Sequence, residues 1–235
     1  MSYAMDYRVA AQAHADARAA FIRRTYGHLA GAILAFIAVE ALLFQIPGIE
    51  EQLILPMLWG SWLFVMLAFM AVGWVANRWA QSDTSPGLQY LGLGVYVVAQ
   101  AIIFLPLLFL AAFKTNDPNL IPTAGIMTLA IFGGLTVAVF VTGKDFSFLR
   151  TGLMIAGCLA LGIIVTSFLF PISLGLIFCY AMVVLMSGYI VYYTSNVLYH
   201  YRTDQHVAAA LALFASIATL FWYVLQIAML SSRRD

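Results

Sequence analysis

Long apolar runs dominate the chain and alternate with short polar breaks. A helix needs roughly 20 apolar residues to cross a hydrocarbon core of about 30 Å, and seven runs come close to this length. The runs are apolar throughout, which favours helices over the alternating strands of a membrane barrel. The predicted spans are residues 29–46, 55–76, 88–112, 121–142, 151–170, 172–195 and 207–230.

The breaks between these runs are short and contain helix-breaking residues. Pro47 and Gly48 follow the first run, Pro86 lies in the second break and Pro118 in the third. We therefore predict an all-α, polytopic membrane domain over residues 29–230, with seven transmembrane helices. The other parts are a polar N-terminal tail without the apolar stretch of a signal peptide, helical in part, and a short C-terminal tail, residues 1–28 and 231–235.

Composition excludes a soluble globule and most charged partners. The chain is 64% hydrophobic and 9% charged, whereas globular domains average about 45–50% and about 25%. A formal net charge of +1 provides no basic surface for a nucleic acid. We therefore predict the lipid bilayer as the main partner and no nucleic-acid partner.

Basic residues are distributed unequally between the two ends of the predicted bundle. The N-terminal tail and the even-numbered breaks contain Arg8, Arg18, Arg23, Arg24, Arg78, Lys144, Arg150 and Arg202. The opposite end contains only Lys114, Arg233 and Arg234. The positive-inside rule therefore predicts a cytoplasmic N-terminus. The terminal arginine pair opposes this bias, so the side of the C-terminus stays open.

Glu40 is the one ionisable side chain clearly inside a predicted span. Such groups cost about 2.5–3.5 kcal/mol on insertion scales. Two interpretations stay open: a proton or cation ligand in a cavity, or a side chain that reaches the interface or caps a neighbouring helix. Pro106 lies midway along the third run and removes one backbone hydrogen bond. It is either a gating hinge or a tolerated structural proline.

A polar seam is predicted between the last two spans. Polar side chains at helical spacing share one face of each span: Tyr189, Tyr192, Tyr193 and Asn196 on the sixth, and Ser216, Thr219, Tyr223 and Gln226 on the seventh. A hairpin between these spans pairs Tyr193 with Ser216 and Tyr189 with Thr219. The seam either lines a path for a cation or proton or joins the two helices by ordinary interhelical hydrogen bonds.

The sequence contains no signature of catalysis such as HExxH or GxSxG, so no enzyme is predicted. The histidines are predicted in tails or loops: His14, His28, His200 and His206. Cys158 and Cys179 are predicted about 8 Å apart along the membrane normal, beyond disulfide reach. Gly27 and Gly31 form a GxxxG pattern, which predicts close helix packing.

Three stretches stand out from the uniform apolar pattern: residues 21–26 (FIRRTY), 142–149 (TGKDFSFL) and 188–196 (GYIVYYTSN). With them the whole chain resembles the Bax inhibitor-like family, also called the transmembrane Bax inhibitor motif family. The resemblance implies a seven-helix bundle with the last helix central, and a calcium leak gated by pH through two facing aspartates. At those two positions this chain has Tyr193 and Ser216, which do not ionise near neutral pH. The resemblance therefore does not extend to the carboxylate pair.

The short polar tail and the ending SSRRD are similar to the proteobacterial branch of this family, which is linked to FtsH, a membrane-anchored AAA protease. This implies an inner-membrane protein that contacts FtsH through residues 1–20 and slows the degradation of other membrane proteins. The alternative function is a pH-sensitive leak for calcium or another cation, with Glu40, Tyr193 and Ser216 along the path and Pro106 at a hinge. Calcium enters that alternative as a transported ion, and no cofactor is predicted.

Overall fold

A computed structural model describes residues 9–60, 62–82, 85–115, 117–170 and 174–232. Within these ranges, seven helices are long and apolar enough to cross a membrane. In chain order the helices, of which α2 is short, are α1 (Ala15–Leu43), α2 (Leu55–Trp59), α3 (Trp62–Ala80), α4 (Pro86–Phe113), α5 (Leu120–Thr142), α6 (Leu149–Leu169), α7 (Leu176–Tyr199) and α8 (His206–Ser232). The all-α, seven-span prediction is therefore confirmed. Parts of four predicted segments lie outside the described residues: 1–8, 61, 172–173 and 233–235.

The first predicted span begins later than the helix that contains it, whereas the prediction of a partly helical tail is confirmed. The first helix, α1, begins at Ala15, 14 residues before the apolar run, and continues without a break to Leu43. Its 29 residues extend over about 43 Å at about 1.5 Å per residue, which exceeds a hydrocarbon core of about 30 Å. Hydropathy marks only the part of a helix that lipid surrounds, so it does not show that the helical part of the tail and the first span form one continuous helix.

The second predicted span is wrong, because it is broken near its start. The short helix α2 ends at Trp59, and the backbone at Gly60 is extended (φ −77°, ψ −178°). A Cβ atom on Gly60 would lie 2.5 Å from the carbonyl oxygen of Pro56, so the turn requires glycine. The membrane-spanning part, α3, begins at Trp62 and ends at Ala80.

The last helix lies at the centre of the bundle, as the resemblance implied. It packs against α1, α3, α4, α5 and α7, whereas α6 packs on α7 and α3 at the periphery. An aromatic cluster joins α8 to α1 and α4: the ring centroids of Phe36 and Phe104 are 5.2 Å apart, those of Phe36 and Phe214 6.2 Å and those of Phe104 and Trp222 4.9 Å. The core is therefore built around α8 and α4.

Glycines have opposite roles in this bundle. A Cβ atom on Gly92 in α4 would lie 2.5 Å from the Ala76 carbonyl oxygen and 2.7 Å from the Ala80 nitrogen, so α3 and α4 meet backbone to backbone there. By contrast, a Cβ atom on Gly27 or Gly31 in α1 would meet nothing within 4 Å. The prediction that this GxxxG pattern marks close helix packing is therefore wrong.

The N-terminal segment docks on the turn between α7 and α8. The backbone N–H of Ala10 donates to the Tyr201 carbonyl oxygen at 2.9 Å, and Ala10 is fully buried. Val9 forms an isolated β-bridge with Arg202. We call this end of the molecule, which contains the start of α1 and the α3–α4, α5–α6 and α7–α8 connections, the basic end.

Two histidines predicted in tails or loops belong to helices instead. His28 lies within α1 and His206 is the first residue of α8. Their ring centroids are 5.0 Å apart, because the starts of α8 and of the apolar part of α1 meet at the basic end. Polar residues at a helix entrance resemble loop residues in sequence, which explains the wrong assignment.

Candidate functional site

The hydroxyl groups of α8 in the predicted polar seam bond within their own helix. Ser216 donates to the Ala212 carbonyl oxygen at 2.9 Å, and Thr219 donates to the Ala215 carbonyl oxygen at 2.8 Å. Serine and threonine hydroxyls in membrane helices commonly donate to a carbonyl oxygen one turn earlier in the same helix. Ser216 is buried, but its hydroxyl needs no partner from another helix because this bond already uses its hydrogen.

The tyrosines of α7 form a cluster that reaches toward α6. Tyr193 stacks on Tyr189 with ring centroids 5.9 Å apart and contacts Tyr192 at 5.1 Å. The Tyr189 hydroxyl donates to the Leu153 carbonyl oxygen in α6 at 2.9 Å. Among the described residues, no hydrogen bond links α7 to α8 through the predicted pairs, Tyr193 with Ser216 and Tyr189 with Thr219. Bonds within α8 and to α6 replace them.

Glu40 faces a cavity of about 340 Å³ between α1, α4, α5 and α8. Glu40 is 6% exposed, and within the described part of the chain neither carboxylate oxygen has a hydrogen-bond partner. The lining is almost wholly apolar; the one hydroxyl in it, that of Thr128, donates to the Ala124 carbonyl oxygen. Glu40 is therefore buried beside this cavity and caps no neighbouring helix among the described residues.

The structure separates the residues of the predicted cation path. The cavity around Glu40 is lined by neither Tyr193, Ser216 nor Pro106. Thr219 lines a second cavity of about 550 Å³ instead, together with Gln100, Tyr223 and Gln226. Pro106 is buried inside α4, which continues through it to Phe113.

The two distinctive stretches around residues 142–149 and 188–196 contact each other, which sequence reasoning missed. Ser195 in α7 accepts the backbone N–H of Phe146 at 2.8 Å and donates to an Asp145 carboxylate oxygen at 3.4 Å. His200 Nε2 lies 2.9 Å from the other oxygen of Asp145. We call this set of contacts between the α5–α6 loop and the end of α7 the loop latch.

Local geometry prepares the loop for this latch. Gly143 ends α5 in the left-handed region (φ +57°), where glycine is favoured, and its carbonyl accepts the Tyr199 hydroxyl. Asp145 accepts the Ser147 backbone N–H at 2.9 Å. Desolvation acts to raise the pKa of Asp145, but the bonds from Ser147 and His200 outweigh it and hold that pKa below its ordinary value. An Asp-x-Ser turn was the available sequence signal.

The substitution Ser195→Ala is expected to loosen the α5–α6 loop without unfolding the bundle. It leaves the Phe146 N–H without its acceptor, and one hydrogen bond contributes about 1 kcal/mol. Amide exchange at Phe146 should then accelerate about fivefold. The matched control is Ser167→Ala, because the Ser167 hydroxyl donates to the Ile164 carbonyl oxygen one turn earlier in its own helix. Equal exchange in both variants would rule out the latch.

Comparison with known proteins agrees with this architecture. The family model described as "Inhibitor of apoptosis-promoting Bax1" matches residues 18–235. An uncharacterized protein of Pseudomonas aeruginosa is 31% identical over 208 residues, which cover 88% of this chain and 87% of that protein. A BI1-like protein of Arabidopsis thaliana is 27% identical, covering 88% and 79%, and protein lifeguard 4 of Mus musculus is 25% identical, covering 92% and 87%. The chain therefore belongs to the Bax inhibitor-like family of membrane proteins.

Proposed function

We propose that this protein is a non-enzymatic regulator in the bacterial inner membrane, which associates with FtsH through its N-terminal end and slows the degradation of other membrane proteins. The observation that supports this most is the projection of α1. From Arg24 to Leu43, α1 already extends over about 29 Å, close to a hydrocarbon core of about 30 Å. The turns before Arg24 therefore lie outside the core on the predicted cytoplasmic side, where a membrane-anchored protease has its working domains.

The projecting turns offer a weakly charged contact surface. Ala15, Asp16, Ala17 and Ala19 are all exposed. Ala10 is held by its bond to Tyr201, so the described residues just before α1 are anchored on the bundle. Anchoring favours a protein that contacts the protease over one that the protease extracts. The proposed contact is therefore residues 1–8 together with this exposed surface.

The chemistry at the family's aspartate positions favours a regulator over a calcium leak. Two facing carboxylates share a proton and bind a cation, whereas Tyr193 and Ser216 offer only a phenol and a hydroxyl. Ser216 also directs its hydroxyl to its own helix. Across the described ranges, no group of three His, Cys, Asp or Glu side chains is placed to hold a metal ion.

Removal of the proposed contact is expected to release FtsH. The test variant lacks residues 1–8 and contains Ala15→Glu and Ala19→Glu, which add charge to one exposed face of α1. Co-purification with FtsH should fall about tenfold or more, the change that about 1.4 kcal/mol produces. Thermal unfolding of the bundle should stay the same, because Ala10 and its contacts are retained.

The control is Glu51→Gln, which changes an exposed side chain at the opposite end. It should leave co-purification unchanged. Undiminished FtsH binding by the test variant would exclude the N-terminal end as the contact. Unchanged turnover of FtsH substrates in cells lacking the protein would refute regulation altogether.

A cation or proton leak is the second candidate, and the environment of Glu40 favours it. A buried carboxylate without a hydrogen-bond partner is costly inside a membrane, so such groups commonly belong to ion paths. The discriminating measurement is calcium and proton flux into liposomes between pH 6 and pH 8. A flux that Glu40→Gln abolishes and Glu51→Gln preserves would support the leak over the regulator.

A further inference from the structure

A groove of about 600 Å³ lies between α1 and α4 and begins at the basic end. On α1 it is lined by Gly27, Gly31 and Ala35, which are four residues apart and therefore share one helix face. Gly94 lies in the opposite wall, on α4. The floor and walls along most of its length are thus small and apolar.

The glycines of this groove keep it open. A Cβ atom on Gly27, Gly31 or Gly94 would meet no atom within 4 Å. Gly92, two residues before Gly94 on the same helix, is in backbone contact with α3. The small residues of the groove therefore leave space between α1 and α4, whereas Gly92 brings two helices together.

The groove is long enough to hold one lipid acyl chain and is longer than the acyl region of one leaflet. Its lining on α1 extends from Arg24 to Val39, which is about 22 Å along the helix. One leaflet contributes about half of a hydrocarbon core of about 30 Å. Arg24 lies at the core boundary, since the rest of α1 to Leu43 is just long enough to cross the core.

The mouth of the groove is basic, and its lining among the described residues contains no carboxylate. Arg24, His28 and Tyr90 line it, and none of the residues that line the groove is acidic. His28 Nδ1 donates to the Arg24 carbonyl oxygen at 2.6 Å, and Nε2 lies 3.2 Å from the Tyr90 hydroxyl. Asp204, near His206 in the adjoining turn, forms an ion pair with Arg202 at 2.7 Å and so offers little compensation.

We propose that this groove binds one anionic phospholipid, with its phosphate at Arg24 and an acyl chain along Gly27, Gly31 and Ala35. A guanidinium binds phosphate oxygens through two parallel hydrogen bonds. The lipid is anionic because the described lining of the mouth has a guanidinium for the phosphate and no carboxylate for the ammonium of a zwitterionic headgroup. His28 and Tyr90 hold each other in place beside Arg24 and form the wall next to the phosphate.

Native mass spectrometry of the full chain in non-ionic detergent tests the headgroup site. The probes are phosphatidylglycerol and phosphatidylcholine with identical acyl chains. The wild-type protein should retain phosphatidylglycerol in preference. Arg24→Gln should weaken that retention about fivefold, the effect of one basic side chain at the membrane surface. Arg23→Gln is the matched control, because Arg23 is adjacent and exposed but does not line the groove.

Filling the groove tests the acyl-chain site independently. Gly31→Leu should reduce the retention of both lipids, whereas Gly134→Leu, at an exposed glycine of α5 with equally open surroundings, should not. Equal retention of the two lipids by the wild-type protein would overturn the proposal. So would equal losses in Arg24→Gln and Arg23→Gln, and the arginine variants decide the matter even where Gly31→Leu does not fold.

Discussion

Gly92→Ala is expected to destabilise the bundle by about 1–3 kcal/mol or more, the range for overpacked cores. The added methyl group would lie 2.5 Å from the Ala76 carbonyl oxygen and 2.7 Å from the Ala80 nitrogen. Both atoms belong to the α3 backbone, so relief requires the two helices to separate. Thermal unfolding in detergent measures the loss.

The control for this effect is Gly94→Ala on the same helix. A Cβ atom at Gly94 meets nothing within 4 Å, and alanine is otherwise about 0.5–1 kcal/mol better than glycine inside a helix. Gly94→Ala should therefore be neutral or slightly stabilising. Equal melting temperatures for the two variants would contradict the backbone contact between α3 and α4.

Glu40→Leu is expected to raise the stability of the bundle by roughly 1–3 kcal/mol, the cost of an unsatisfied buried polar group. Both carboxylate oxygens of Glu40 lack a partner, and the cavity around them is apolar. Leucine removes that cost and fits the same lining. Thermal unfolding measures the gain, and a melting temperature below that of the wild-type protein would show that the carboxylate has a stabilising partner.

Thr128→Val is the matched control for Glu40→Leu. Thr128 lines the same cavity, but its hydroxyl already donates to the Ala124 carbonyl oxygen. Its removal should bring no comparable gain. If Glu40→Leu is stabilising, the wild-type carboxylate lowers the stability of the bundle. The flux measurements with Glu40→Gln then test whether this carboxylate is needed for the passage of ions.

Residues that looked alike in sequence have different surroundings in the structure. The sequence predicted close packing at Gly31, but it is Gly92, in no pattern identified from the sequence, that meets another backbone. Packing depends on the opposite surface, which no local pattern specifies. The same limit applies to Ser216, whose predicted partner lies on another helix while the observed one, the Ala212 carbonyl oxygen, lies one turn away.

The loop latch shows the limit for distant pairs. Asp145 and Ser195 each belong to a distinctive stretch, and 50 positions separate them in the chain. Their residue types suggested a turn and a helix end separately. Only the packing of α5 against α7 brings the loop onto Ser195. The tertiary structure therefore shows that the two stretches contact each other, which neither stretch indicates by itself.

Hydropathy and run length were sufficient to establish a seven-span, all-α membrane protein, because lipid imposes its length and polarity requirements on each helix separately. The distribution of arginine and lysine likewise distinguished the two ends of the bundle, because most basic residues lie in the connections at the basic end. The burial of Glu40 beside an apolar cavity and the open groove beside Gly31 came from the tertiary structure alone. These features depend on what faces each residue across a helix interface, and a linear pattern of polar and apolar residues does not contain that information.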